Sequence, residues 1–253
     1  MHWVERRAPC ATDTQHIVNL SAYYWATTVL PDLGEMRVLD AACGAGYGSE
    51  ALARRARAVV GVDRDIGTIR EASRRYQRPN LRFLPMDCEV LAFRSGSFDA
   101  VVSFETIEHL DGDRQFLQEV ARLLAQGGWL VLSTPHGKGA GVVPANPFHR
   151  REYTWEECRA LLAEFFPSVR LLGRRLGPRL ASLEGTLRHV RGLDPRGLRC
   201  LVPRRVRHLL GSLISRSGGG AGLEEIITDD VEYVEGLADT STVVALCRLE
   251  RTP

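Results

Sequence analysis

The sequence predicts an α/β fold with a mostly parallel β-sheet. Short apolar runs of strand length alternate with helical stretches, and a glycine-rich turn joins the first strand to the next helix. That turn follows Val38-Leu39-Asp40 and contains Gly44, Gly46 and Gly48. A strand, a tight glycine turn and a helix in succession are typical of the opening of a nucleotide-binding βαβ unit.

The remaining strands and helices follow the same alternation. After the strand at 38–40, strands are predicted at 58–63, 81–84, 98–104, 129–134, 169–172 and 242–249. Helices are predicted at 14–30, 49–56, 68–76 and 114–125, and from Thr154 to about residue 166, where Thr154 and Glu157 have the spacing of a capping box. The near-continuous apolar run at 98–104 suits a parallel strand buried on both faces. Seven strands result, and the long segment 173–241 separates the last two.

Composition and cysteine usage predict an ordinary globular protein of the cytoplasm. The 253 residues carry a net charge of +2, and six scattered cysteines form no Cys-x-x-Cys pair. This pattern indicates reduced thiols and argues against a disulfide scaffold or a zinc finger. No apolar run approaches the ~20 residues that would cross a bilayer, and the first residues lack a signal-peptide core.

The charge is unevenly distributed along the chain. Twelve arginines and only two acids lie between residues 170 and 216. Part of this block reads as an amphipathic helix near 203–215, with Arg204, Arg205 and Arg207 on its polar side. Segment 173–241 is therefore interpreted as a helical lid over an acceptor or as a dimerising flap, with a solvated charged face as the alternative.

The glycine turn itself distinguishes between two classes of ligand. Its spacing is Gly-x-Gly-x-Gly rather than the Gly-x-Gly-x-x-Gly of dinucleotide-binding turns, and Asp40 lies inside the motif. An acid at this point suits a ligand with a cationic amino group better than a pyrophosphate. Together with the order of the later motifs, this turn resembles that of the class I S-adenosylmethionine-dependent methyltransferases, over roughly residues 36–166. The resemblance implies a Rossmann-like, seven-stranded, mostly parallel methyltransferase sheet with a helical insert before its last strand.

Carried onto this sequence, the resemblance implies a site for S-adenosylmethionine. Asp63 ends the second strand, where a carboxylate accepts hydrogen bonds from ribose hydroxyls. Asp87 matches the acid that accepts from the adenine amino group. Tyr24 or its neighbour Tyr23 would reach the donor from the leading helix, or these aromatic residues would instead pack that helix onto the sheet. The predicted cofactor-binding residues are Asp40, Ala42, Gly44, Gly46, Asp63, Asp87, Phe104 and Tyr24.

Four regions make up the predicted domain organisation. An N-terminal helical cap occupies 1–35, and the S-adenosylmethionine-binding core occupies 36–172. The Arg-rich insert occupies 173–241, and 242–253 returns as the last strand of the core sheet. In the simplest members of the family resembled, the last two strands form an antiparallel pair with a short connection.

Candidate catalytic residues cluster after the fourth strand. On a helical turn Glu105, Glu108 and His109 would share one face, and His149 would arrive from the loop after the fifth strand at the same edge of the sheet. Three interpretations stay open. The four residues could hold Mg²⁺, Mn²⁺ or Fe²⁺, as the similar pattern of small-RNA 2′-O-methyltransferases implies. A histidine could instead act as a metal-free general base. In the third, structural interpretation Glu105 orders the cofactor loop and His149 caps the next helix.

The expected activity is O-methylation of a small molecule, and the preferred acceptor is a sugar or a glycosylated natural product. The expected binding partner is therefore a small acceptor that is anionic or glycosylated. A homodimer is compatible with the flap. Two alternatives belong to other classes: an RNA 2′-O-methyltransferase, and a non-catalytic S-adenosylmethionine-binding or membrane-surface module. A nucleic-acid partner is not expected, because the net charge is near zero and no aromatic platform for bases accompanies the arginines.

Overall fold

A computed structural model describes residues 14–144, 146–178, 231–236 and 240–250. Five α-helices lie in these residues: α1 Thr14–Val29, α2 Tyr47–Ala53, α3 Ile66–Arg75, α4 Asp113–Leu123 and α5 Trp155–Ala163. The strands are β1 Arg37–Ala41, β2 Ala58–Asp63, β3 Leu81–Pro85, β4 Phe98–Phe104, β5 Leu124–Pro135, β6 Ser168–Leu176, β7 Val231–Val234 and β8 Thr242–Arg248.

The strands form one sheet in the order β3-β2-β1-β4-β5-β8-β6-β7. Neighbours from β3 to β5 are parallel, and β8 runs antiparallel between β5 and β6. The predicted α/β fold with a mostly parallel sheet is confirmed. The predicted count of seven strands is wrong, because β7 extends the described sheet to eight.

Helix packing follows from apolar side chains at helical spacing. On α4 the side chains of Phe116, Leu117, Val120 and Leu123 are fully buried, as the amphipathic pattern predicts. At the start of α5, Thr154 and Glu157 form the predicted capping box by exchanging side-chain and backbone hydrogen bonds. These local signals fix where each helix begins and which face it buries.

The largest differences from the predicted boundaries are at the start of β5 and the end of β6. The glycines at 127 and 128 were expected to separate α4 from its strand, but β5 begins at Leu124 and passes through them, with Gly127 at a φ of 77°. The register between β4 and β5 shifts at this irregular stretch. Strand β6 continues to Leu176, beyond the predicted end of the core at residue 172.

The predicted insert is described only at its two ends. Its first residues belong to β6, which ends at Leu176, and residues 231–234 form β7, while the helical character predicted for the rest of the insert stays a prediction. The predicted amphipathic helix at 203–215 and the glycine joint at 217–220 lie outside the described residues. The described residues divide into two units, of which the sheet unit comprises 22–144, 146–175, 233–236 and 240–250, and the second comprises 14–21, 176–178 and 231–232. Within the described ranges, no helix is both long and apolar enough to cross a membrane.

Candidate functional site

In the glycine turn between β1 and α2, Gly46 and Gly48 are packed against neighbouring side chains, whereas Gly44 has open space beside it. Gly46 has a φ of 80°, and a Cβ there would lie 2.8 Å from the Phe83 ring. A Cβ on Gly48 would lie 2.0 Å from the Tyr23 ring. Gly44 has a φ of 50°, yet a Cβ there would meet nothing within 4 Å. Packing therefore requires two of the glycines, and the third leaves room for a ligand to approach the backbone.

Asp63 supports this turn from the end of β2. Its Oδ2 accepts a hydrogen bond from the amide of Gly44 at 3.1 Å, and its Oδ1 accepts one from the amide of Asp65 at 2.9 Å. A carboxylate offers about four lone-pair positions. Each oxygen of the half-buried Asp63 thus retains acceptor capacity for a hydroxyl of a ligand. Asp87 is exposed and follows β3, the strand next to β2 in the sheet.

Asp40 lies underneath the turn rather than in it. Its side chain is fully buried, and its two oxygens accept hydrogen bonds from Ser49 Oγ at 2.5 Å and Tyr23 OH at 3.0 Å. Burial raises the pKa of Asp40 from its usual 3.8 to about 7, although these two hydrogen bonds act in the opposite direction. The side chain of Asp40 has no exposed surface, and its predicted role in binding the cofactor stays a prediction.

The leading helix α1 brings a tyrosine to the turn. The ring of Tyr23 packs edge-to-face on Phe104 with centroids 4.8 Å apart, and burial raises the pKa of its hydroxyl. Tyr24, the residue named as cofactor-binding, is half-buried, and its contact with the cofactor stays a prediction. The amide of Ala42 faces Thr106 Oγ1 at 3.4 Å, which links the turn to the end of β4.

Three of the four predicted catalytic residues come together. Glu108, His109 and His149 can each offer one ligand atom, and these atoms all lie within 4.8 Å of one another. The two imidazole rings have centroids 4.9 Å apart, and His109 Nε2 lies 3.9 Å from Glu108 Oε1. Glu108 is fully buried, and its Oε2 accepts a hydrogen bond from Thr134 Oγ1 at 3.0 Å. We call these three residues the carboxylate–histidine cluster.

Hydrogen bonds assign the proton to Nδ1 in both histidines. His109 Nδ1 lies 3.0 Å from the carbonyl oxygen of Phe148, which can only accept. His149 Nδ1 lies 2.7 Å from Glu152 Oε1. Asn146 Oδ1 accepts from the amide of Phe148 at 3.1 Å, so its Nδ2 donates to His149 Nε2 at 2.8 Å. The unprotonated Nε2 of each ring can act as a ligand or a base, in His149 by exchanging its hydrogen bond from Asn146 for the new partner.

The loop after β5 is tied to α4 and to the residues after β4. The amide of Arg150 donates to the carbonyl oxygen of Glu108 at 2.7 Å. Asp113 Oδ2 accepts from Arg151 Nη1 at 2.7 Å and from Tyr153 OH at 3.0 Å, and burial raises the pKa of that tyrosine. These contacts join chain segments about 40 residues apart, which brings His149 beside His109.

Glu105 does not join the carboxylate–histidine cluster. It has a φ of 51°, and the 3₁₀ turn begins only at Ile107, so the shared helical face was a wrong prediction. Its Oε1 accepts from Ser133 Oγ at 2.6 Å and lies 3.9 Å from Nη2 of Arg174. Arg174 is buried on β6 and donates to Thr242 Oγ1 at 3.0 Å. Glu105 therefore belongs to a polar group that spans β5, β8 and β6.

Comparison with known proteins identifies the family. A methyltransferase-domain family model matches residues 39–132, which run from β1 into β5. A probable S-adenosylmethionine-dependent methyltransferase of Mycobacterium tuberculosis is 36% identical over 151 residues, 58% of this chain and 54% of that protein. A ubiquinone biosynthesis O-methyltransferase of Albidiferax ferrireducens is 30% identical over 183 residues, 71% of each chain. The chain belongs to the class I S-adenosylmethionine-dependent methyltransferase family.

A solved structure agrees with this family at the level of the fold. An S-adenosylmethionine-dependent methyltransferase of Thermotoga maritima, described as a possible histamine N-methyltransferase, superposes with a TM-score of 0.60 at 16% identity. That match covers 94% of this chain and 92% of the Thermotoga chain. The chain spans about half the length of the mycobacterial relatives.

Within this methyltransferase family, S-adenosylmethionine is the methyl donor, and the open side of the glycine turn is the part of the site that could receive it. The structure brings Gly44 and Asp63 into direct contact and groups Glu108, His109 and His149, while Glu105 lies elsewhere. Residues that support the site were not predicted: Asn146, Glu152, Asp113, Arg151, Tyr153 and Thr134. The spacing of His149 and Glu152 at i, i+3 was the one local signal for any of them. In the structural interpretation His149 caps the next helix, but Thr154 occupies that position.

Proposed function

We propose that the protein transfers a methyl group from S-adenosylmethionine to a hydroxyl oxygen of a small molecule at the carboxylate–histidine cluster. The observation that supports this proposal most directly is the convergence of Glu108, His109 and His149, whose ligand atoms lie within 4.8 Å of one another. A hydroxyl must lose its proton when it is methylated, whereas the sulfonium is already activated. A site for O-methylation therefore needs a group that manages this proton, and the cluster can do so.

The donor set of the cluster fits a divalent cation. One carboxylate and two imidazole nitrogens suit Mn²⁺ or Fe²⁺ better than Mg²⁺, which prefers an all-oxygen shell. Glu108, His109 and His149 would hold the ion, and a bound ion would supply charge that lowers the pKa of the acceptor hydroxyl. In the metal-free alternative, the Nε2 atom of one histidine accepts that proton directly, since the same tautomer serves both roles.

Other residues would bind the methyl donor or hold the side chains of the carboxylate–histidine cluster in place. Asp63 accepts a hydrogen bond from the Gly44 amide and can accept further hydrogen bonds from ribose hydroxyls. Asp87, which follows the neighbouring strand β3, would accept a hydrogen bond from the adenine amino group. Thr134 holds the Glu108 carboxylate, and the Phe148 carbonyl holds the His109 ring. Methyl transfer is an in-line displacement, so the main task of such a site is to align the acceptor oxygen with the methyl group and to exclude water.

The acceptor is proposed to be a sugar or a glycosylated natural product, because the Asn-Pro-Phe-His-x-x-Glu-Tyr segment at 146–153 resembles that of bacterial methyltransferases from saccharide and natural-product pathways. The name of the Albidiferax relative, a ubiquinone biosynthesis O-methyltransferase, supports transfer to oxygen without specifying this acceptor. The RNA alternative depends on the arginines of the insert, most of which lie outside the described residues. A role for that insert as a lid or a dimer contact also stays a prediction.

An acceptor screen with a chelator arm tests the reaction. We expect release of S-adenosylhomocysteine with at least one hydroxylated acceptor, loss of that release after treatment with a chelator, and recovery on addition of Mn²⁺ or Fe²⁺. Activity that survives thorough chelation would remove the metal and leave the histidine base. Methylation of RNA alone, with no turnover of any small hydroxylated acceptor, would contradict the proposed function.

The donor site is tested by comparing two glycines of equal strain. Gly44→Ala places a methyl group on the open side of the turn, so we expect the affinity for S-adenosylhomocysteine to fall about tenfold, or 1.4 kcal/mol. Gly96→Ala is the matched control, because Gly96 also has a positive φ (68°) and open space but lies in the turn before β4. Both variants should lose a similar amount of stability, about 1 kcal/mol. Calorimetry that shows equal binding by wild type and Gly44→Ala would place the donor elsewhere.

A further inference from the structure

We propose that Glu152 is a positioning residue of the carboxylate–histidine cluster: it keeps the proton of His149 on Nδ1, so that Nε2 can bind the ligand of the site. The inference rests on the proposed function only in assigning a ligand to His149. The arrangement of Glu152, His149 and Asn146 is a property of the protein without any ligand.

The contact between Glu152 and His149 is short and largely shielded from water. Oε1 of Glu152 lies 2.7 Å from Nδ1 of His149, and the two side chains are 22% and 10% exposed. A carboxylate only accepts hydrogen bonds, so Nδ1 must carry the proton. Because a charged acceptor makes a stronger hydrogen bond than a neutral one, this contact favours one tautomer and one ring orientation.

On the opposite side of the ring, an amide occupies Nε2. Asn146 Nδ2 lies 2.8 Å from His149 Nε2, and the direction of that amide is fixed because its Oδ1 accepts from the Phe148 amide. An ion or hydroxyl that approaches Nε2 must take the place of the Asn146 hydrogen bond. Glu152 compensates for the loss of the Asn146 hydrogen bond, because a negative charge beside Nδ1 makes Nε2 a better electron-pair donor.

The backbone around Glu152 is held without the help of its carboxylate. The amide of Gly137 donates to the carbonyl oxygen of Tyr153 at 2.9 Å, and the Tyr153 hydroxyl is bound to Asp113. Gly137 packs directly on Glu152, since a Cβ on that glycine would lie 2.2 Å from the Cβ of Glu152. Substitutions that shorten or neutralise the side chain of Glu152 should therefore leave the loop folded.

The first measurement reads the tautomer in protein without any ligand. Nitrogen-15 NMR of the histidine side chains, recorded at alkaline pH so that neutral rings are compared, should show wild-type His149 protonated at Nδ1 and unprotonated at Nε2. In Glu152→Ala and Glu152→Gln the two nitrogen signals should move toward those of a mixture of tautomers. Glu156→Gln is the matched control, because Glu156 is exposed in the first turn of α5. An unchanged His149 tautomer in Glu152→Ala would overturn the proposal.

The second measurement reads the consequence for binding. Calorimetry with Mn²⁺ as the probe should give an affinity about 10–100-fold weaker for Glu152→Ala than for wild type or Glu156→Gln, the usual size of such outer-sphere effects. If wild type binds no Mn²⁺, the metal part of the proposed function fails, and the tautomer measurement still decides the role of Glu152. If wild type and Glu152→Ala bind Mn²⁺ equally, Glu152 does not position His149 for a ligand. Thermal unfolding of each variant separates both outcomes from a loss of fold.

Discussion

Replacement of either His109 or His149 by alanine is expected to slow methyl transfer by about 10²–10⁴-fold, the range typical of groups that manage a proton in the transition state. The two imidazole rings lie side by side, and each can offer one ligand atom to the carboxylate–histidine cluster, so loss of one removes a ligand or a base that the remaining ring cannot replace. The rate of S-adenosylhomocysteine formation with a saturating acceptor measures this effect.

The affinity for S-adenosylhomocysteine should stay close to that of wild type in both variants, because the glycine turn and Asp63 form a separate part of the site. His136→Ala is a suitable control: this histidine directly follows β5, which ends at Pro135, and is not part of the carboxylate–histidine cluster. Full activity of the double variant His109→Ala/His149→Ala would end both the metal and the general-base interpretations. In that event the cluster would serve the structure alone.

Local signals explain why most of the fold could be predicted. Strands β2 and β4 have the predicted bounds, because uninterrupted apolar runs bounded by polar residues leave little choice of register. The capping box of α5 needs only residues Thr154 and Glu157, three positions apart. Strand β7, in contrast, has four residues within a long segment of mixed composition, where no periodicity distinguishes it.

The candidate site was predictable only where sequence neighbours decide the geometry. His109 and His149 were assigned to one edge because the loops leaving adjacent parallel strands share it. The position of Glu105 depends on its positive φ and on Ser133, neither of which periodicity reveals. Glu152 lies three positions after the predicted residue His149, but its role follows from the direction of a side chain, which spacing alone does not give.

Sequence spacing also failed to predict the environment of Asp40, although the motif correctly placed an acid at this position. The motif indicates an acid at this position, and a cationic ligand was the reason offered for it. The structure places that acid beneath the turn, where Ser49 and Tyr23 are its hydrogen-bond partners. Whether a motif acid faces a ligand or the protein interior depends on the helices packed above it, here α1 and α2.

Asp40 is also expected to make the stability of the protein depend on pH, with an opposite slope to most carboxylates. Burial raises the folded-state pKa to about 7, against about 3.9 in an unfolded chain. Between these values the folded state binds more protons than the unfolded state, so the free energy of unfolding falls as pH rises from about 4 to about 7. The full shift of about 3 pKa units corresponds to at most about 4 kcal/mol.

Asp40→Asn isolates this contribution because the amide stays neutral, and the hydroxyls of Ser49 and Tyr23 can each donate or accept. Urea unfolding at a series of pH values should show the Asn variant gaining stability relative to wild type as pH rises from 4 to 7, with no further gain above that. Asp99→Asn should show the opposite trend, since Arg37 lowers the pKa of Asp99 and its stabilisation is lost in acid. Parallel curves for wild type and Asp40→Asn across the whole range would mean that Asp40 is ionised in the folded protein at the same pH as in the unfolded chain. Its two hydrogen bonds would then balance the cost of its burial.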